Sequence, residues 1–278
     1  MGSDSRNRYL LKNTLIFTLG NIGSRMISFF LIPLYTNVLT TSQYGTVDLI
    51  TTISTVAGPM LTLNIAESVM RFGLDKDADK EKNTQCGSIV LLIAMIIGLV
   101  LIPICRCITE VSDYAMYVYF YVISLSASQL FLCDLRGKEL LLKYSLGNIL
   151  QTLMIAILNI TFLLVFKMET GGYLLAYIIA NFIVAIYAII AGKGYKAFSF
   201  HNIDRCKLKE MIRYSVVLIP NTFMWWIMNS SDRVMVTYMI GAAANGIYAV
   251  SYKLPTLVST LTGIFNQAWS YSAIREEG

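Results

Sequence analysis

Eight apolar stretches follow one another along the chain, at residues 13–38, 44–70, 86–105, 114–133, 144–166, 173–191, 213–240 and 245–271. A bilayer core about 30 Å thick takes about 20 helical residues to cross, so each stretch predicts one transmembrane helix. Those at 86–105, 144–166 and 173–191 are nearly unbroken runs of apolar residues. Those at 13–38, 44–70, 213–240 and 245–271 are interleaved with Asn, Ser, Thr, Pro and charged residues. Polar positions at membrane depth survive where they face protein or a hydrated cavity. The pattern therefore predicts an all-α polytopic bundle, with the clean helices against lipid and the polar ones inside.

Lys and Arg set the expected orientation. Seventeen of the 22 fall in alternate connections, the richest being the one that runs from Lys193 to Arg213. The opposite connections carry only Arg106 and Lys167, and three cations, Arg25, Arg233 and Lys253, lie inside apolar stretches. Cationic connections stay in the cytoplasm, which predicts a cytoplasmic N-terminus and a cytoplasmic 193–212 connection.

A weak internal repeat shapes the expected domain plan. A shift of 201 residues lays Lys12–Phe17 on Arg213–Leu218 and Leu39–Gly45 on Ile240–Gly246. Six helices would separate the copies, so both enter the membrane in the same sense, as in parallel-repeat transporters. The expected plan is a six-helix bundle over 1–192, a linker over 193–212, and the first hairpin of a second, incomplete bundle over 213–278. On this plan the chain is about two-thirds of a twelve-helix protein.

Composition narrows the function. With 56% hydrophobic and 14% charged residues and a mean hydropathy of +0.61, the chain is too apolar for one water-soluble core. The formal charge of +5 reads as topology, and no nucleic-acid partner is expected. Five scattered cysteines and a lone His201 predict no metal site and leave no Ser/His/Asp arrangement. No phosphate-binding loop of the GxxxxGK[ST] type occurs. Neither an enzyme nor a bound cofactor is expected, while coupling to a proton or sodium gradient stays open. The alternating charges of Asp75 to Lys82 suit a solvated connection, and Trp225 and Trp226 suit packing.

The buried charges are the candidate chemistry. Arg25 falls about 18 Å along its helix at 1.5 Å per residue, where a cation is costly unless it meets water or a counter-charge. A guanidinium also matches phosphate oxygens. Asp48 is a candidate protonatable group of a transport path. Glu67 and Arg71, at i and i+4, suit a mutual ion pair and are a candidate cytoplasmic gate. Asp232 and Arg233 point about 100° apart on their helix and need other partners. Lys253, at similar depth on the returning helix, is expected to reach Asp232.

Two motifs carry a family resemblance. LYTNVLTTSQYGTVDLI at 34–50 resembles the first hairpin of bacterial polysaccharide-biosynthesis flippases of the O-antigen and capsule type, in the MATE-like (MOP) superfamily. NSSDRVMV at 229–236 followed by GIYAVSYKL at 246–254 resembles the start of their second half. The resemblance implies twelve to fourteen helices around a central cavity. The implied function is flipping of an undecaprenyl-pyrophosphate-linked oligosaccharide by alternating access in a bacterial inner membrane. It implies that Arg25 holds the pyrophosphate, helped by Lys253 or Arg233, and leaves open contact with polysaccharide polymerase machinery. The alternatives are a cation-coupled drug antiporter of the same fold and a non-transporting membrane scaffold.

Overall fold

The computed structural model describes residues 27, 30–75, 78–105, 112–198 and 204–253, with 255, 256, 258, 259 and 262 beyond them. Among the described residues the fold is all helix. In order come α1 (Ile32–Val38), α2 (Thr41–Leu61), α3 (Ile65–Gly73), α4 (Lys80–Cys105), α5 (Ala115–Gly137), α6 (Leu141–Ile160), α7 (Glu169–Ala191) and α8 (Arg205–Met239). A last helix, α9, covers 242–253.

Four stretches are long and apolar enough to cross a membrane: Lys80–Pro103, Ser112–Gly137, Leu141–Val165 and Glu169–Ala191. The pair α2 and α3 makes a fifth if a bent span is counted as one. Eight were expected. The stretch at 213–240 does form part of a helix, α8, but Asn221, Asn229, Asp232 and Arg233 leave it too polar to stand among the four. The stretches at 13–38 and 245–271 extend outside the described residues.

The expected single span at 44–70 is broken, with a 60° bend between α2 and α3. Pro59 supplies no amide hydrogen to the last turns of α2. Leu63 and Asn64 then take positive φ of 52° and 55°, which ends the helix. The start of α2 is as well defined. The Thr40 hydroxyl accepts from the Gln43 amide at 3.2 Å, and the Gln43 carboxamide accepts from the Thr40 amide at 2.9 Å. Thr40→Ala is expected to lower stability by about 1 kcal/mol, read as a lower midpoint of thermal unfolding in detergent.

The central element is α5, which packs on α2, α3, α4, α6 and α7. Its apolar window is 61% buried, against 11% for the Leu141–Val165 stretch that contains α6. That stretch turns Leu142, Leu146, Ile149, Leu153 and Ile157 outward, the lipid-facing role its clean sequence predicts. Burial here yields close packing more than transfer from water, since lipid is as apolar as Leu. The backbones of α3 and α5 approach so closely that a Cβ on Gly73 would lie 2.8 Å from the Gly137 Cα.

Helix α8 departs from expectation. Only Met211, Ser215 and Thr237 are buried, while Trp225, Met228 and Met235 are exposed. One narrow stripe packs on α2, α3 and α4, because the described neighbours lie on one side only. Trp226 belongs to that stripe: its indole donates to the Thr52 carbonyl at 2.9 Å.

The end of the bundle that holds the last turns of α3 and α5 is rich in charge. There Lys138 pairs with buried Asp134 at 2.6 Å and donates to the Gly192 carbonyl at 3.0 Å. Thr84 donates to the same carboxylate at 2.5 Å, and Lys143 donates to the Ala191 carbonyl at 2.7 Å. One clamp thus joins α4, α5 and the carbonyl end of α7, where cations suit the helix dipole.

Candidate functional site

Near the opposite, charge-poor end, α2, α5, α7, α8 and α9 enclose a cavity of about 100 Å³. Its lining divides into two chemistries. Tyr44, Tyr121, Tyr173 and Tyr177 form an aromatic wall from α2, α5 and α7. Asp48, Arg233 and Lys253 bring charge from α2, α8 and α9, with Val47 and Thr51 between.

Asp48 is 6% exposed. One carboxylate oxygen accepts from the Arg233 guanidinium at 2.8 Å, and the other accepts from the Asn245 carboxamide at 3.4 Å. Asn245 also donates to the Gly45 carbonyl at 3.0 Å. One carboxylate therefore ties α2 to both α8 and α9, across nearly 200 residues of sequence. The Arg233 guanidinium stands 5.2 Å from the Tyr252 ring centroid, and its buried Nε has no hydrogen-bond partner among the described residues. Lys253 lines the cavity with no ion pair or hydrogen bond among the described residues.

The aromatic wall is held by its own contacts. Tyr173 and Tyr177 stack at 4.8 Å and share a hydroxyl hydrogen bond of 3.0 Å. Tyr35 meets Tyr173 edge-on at 4.9 Å. Tyrosines four apart lie on one helix face, a signal present in the sequence at Tyr173 and Tyr177, and again at Tyr248 and Tyr252. Apolar periodicity hides it, because Tyr reads equally well as packing.

The structure brings three of the expected site residues, Asp48, Arg233 and Lys253, around one cavity and separates the others. Asp232 accepts instead from the Tyr248 hydroxyl and from the Arg233 amide at 2.9 Å. The expected Asp232–Lys253 contact is thus replaced by one to Tyr248, five residues earlier on α9. Glu67 and Arg71 do not pair with each other: Arg71 meets Asp75 at 2.6 Å, with both side chains about half exposed. Asp75 lies beyond the end of α3, where it follows Arg71 into solvent. Neither Glu67 nor Arg71 lines the cavity. Arg25 lies outside the described residues. Asp79 pairs with Lys82 at 3.3 Å, as a solvated connection requires. Among the described residues no cluster of Cys, His or carboxylate is arranged for a metal.

No curated protein matches the chain. A solved chain, protein A, shares the fold with a TM-score of 0.58 at 13% identity, and the match covers 94% of this chain and 63% of that one. The chain therefore spans under two-thirds of the length of that structure. A sequence profile of polysaccharide biosynthesis proteins matches residues 10–271. With that match over nearly the whole sequence and an all-helical membrane bundle built around it, the chain belongs to the polysaccharide biosynthesis protein family.

Proposed function

We propose that the chain moves a polyprenyl-pyrophosphate-linked glycan across a bacterial inner membrane by alternating access, with the cavity as its anion site. The carrying observation is the charge balance of the cavity: two cations, Arg233 and Lys253, face one carboxylate, Asp48, which is already paired with Arg233, while Lys253 makes no salt bridge or hydrogen bond among the described residues and the Arg233 Nε has no partner there. A buried cation is costly unless something compensates it, and an anionic substrate group does so. Arg233 offers a planar fork and Lys253 a point charge, the two standard modes of phosphate recognition. The tyrosine wall offers ring faces and hydroxyls to a sugar. Arg25 is the further cation that the sequence adds to this reading.

In this reading the charge-rich end faces the cytoplasm. Residues 213–278 are the first hairpin of a second bundle, joined by 193–212 to the bundle of residues 1–192. A drug/cation antiporter would need a free carboxylate in the cavity, whereas Asp48 is held by Arg233.

The test is glycan export from cells at matched protein levels. Losing a charge-assisted hydrogen bond costs about 1.5–3 kcal/mol, roughly 10- to 150-fold in binding. Lys253→Gln should reduce export to that extent, and Lys253→Arg should retain most of it. Normal export by Lys253→Gln would remove Lys253 from the site and, with it, this anion-binding reading.

A further inference from the structure

Beside the cavity, the first turns of α2 and α9 meet backbone to backbone. A Cβ on Gly45 would lie 1.8 Å from the Ala242 carbonyl oxygen, and one on Gly246 would lie 2.0 Å from the Thr41 carbonyl oxygen. Neither space admits a methyl group. The contact is also reciprocal. The shift of 201 residues that relates the two hairpins turns Gly45 into Gly246 and Thr41 into Ala242. Each glycine thus rests on the carbonyl of the residue four before the other, as in a self-complementary two-fold interface.

The seam has one polar latch. Asn245, fully buried, reaches both the Gly45 carbonyl and Asp48, and Asp48 holds Arg233. The latch and the cavity share Arg233 and Asp48. An anion entering the cavity competes with Asp48 for the guanidinium and repels the carboxylate, so it acts directly on the group that keeps the seam shut. A ligand shifts a two-state element only through such differential contacts.

We propose that Asp48 is the coupling residue of this protein: it keeps the Gly45–Gly246 seam closed while it holds Arg233, and an anionic group that takes Arg233 opens the seam. The inference rests on the cavity's being an anion site, as proposed above. It extends that reading to how occupancy is sensed.

The experiment places a cysteine at Ala249, which is fully buried on α9, and follows its modification by a water-soluble maleimide in the purified chain in detergent. Peptide mass spectrometry reads that position separately from the native cysteines. Val47→Cys, at a position 1% exposed on α2, serves as a second reporter. Inorganic pyrophosphate, against sodium chloride at equal ionic strength, should raise labelling at least tenfold. Gly45→Ala or Gly246→Ala should raise it without pyrophosphate. Asp48→Asn, which keeps the shape and loses the charge, should label fast whether or not pyrophosphate is present. Pyrophosphate binding is measured alongside by equilibrium titration. Binding without faster labelling overturns the coupling and leaves the anion site standing. Absence of binding removes the anion site and the coupling together. Protection retained at both reporters in Gly45→Ala, or pyrophosphate sensitivity retained in Asp48→Asn, overturns the role of the seam or of Asp48.

Discussion

Arg233→Ala is expected to abolish glycan export and to lower the unfolding free energy by about 3–5 kcal/mol. The side chains of Asp48 and Arg233 are only 7% and 16% exposed. Removing the guanidinium leaves a carboxylate enclosed with Lys253 as the remaining nearby cation, and Lys253 has no hydrogen bond to it. The cost is that of an uncompensated buried charge and exceeds the worth of the pair itself. A double variant separates stability from function. Arg233→Met with Asp48→Leu replaces both charges by apolar groups and should recover most of the lost stability, because no charge is stranded. It should still fail to export, because the proposed anion contact and the proposed coupling group are both gone. Thermal unfolding in detergent and export at matched protein levels are the two measurements. A double variant that exports normally would show that neither charge takes part in transport.

The second large effect lies at the other end of the bundle. Lys138→Ala is expected to cost about 3–5 kcal/mol by the same logic, since Asp134 is 4% exposed at its side chain and loses its only ion partner among the described residues. The Gly192 carbonyl loses a donor as well. The readout differs in kind from that at Arg233. Lys138 and Asp134 do not line the cavity, so the protein that remains folded should bind inorganic pyrophosphate with unchanged affinity. Lys138→Met with Asp134→Leu should restore most of the melting midpoint. Weakened pyrophosphate binding by folded Lys138→Ala would mean that the two ends are energetically linked.

The parts that were legible in the sequence are those governed by single positions. An apolar run with no charge says where α4, α6 and α7 lie, whereas the apolar pattern starts the second helix at 44 and the Thr40–Gln43 cap starts α2 at Thr41. Asp48, Arg233 and Lys253 stand out because each interrupts an apolar stretch. Pairing was less legible, because it depends on how far each helix is rotated and on which helix lies beside it. Arg71 has Glu67 one turn before it and Asp75 one turn after, and the exposed end of α3 favours the second. Asp232 was matched by depth to Lys253, whereas the nearer hydroxyl of Tyr248 takes it. The bend after Pro59 was visible as a proline but not as an angle, since proline alone does not say whether the neighbouring residues turn left-handed. The exposed faces of α8 carry Trp225, Met228 and Met235, and the polar residues of the helix signal a partner without naming it.

A contact that is its own mate under exchange needs only one stretch of sequence to build it. If the 201-residue repeat is a duplication, a half-length ancestor carrying that stretch would pair with a second copy of itself through the same two glycines. Joining the halves in one chain then frees the flanking positions to differ, so that an acid stands at Asp48 while its counterpart is Ala249. The glycines cannot follow, because a methyl group on either one collides with the backbone of the other half. Divergence between the halves is therefore expected to be fast around the seam and halted at Gly45 and Gly246.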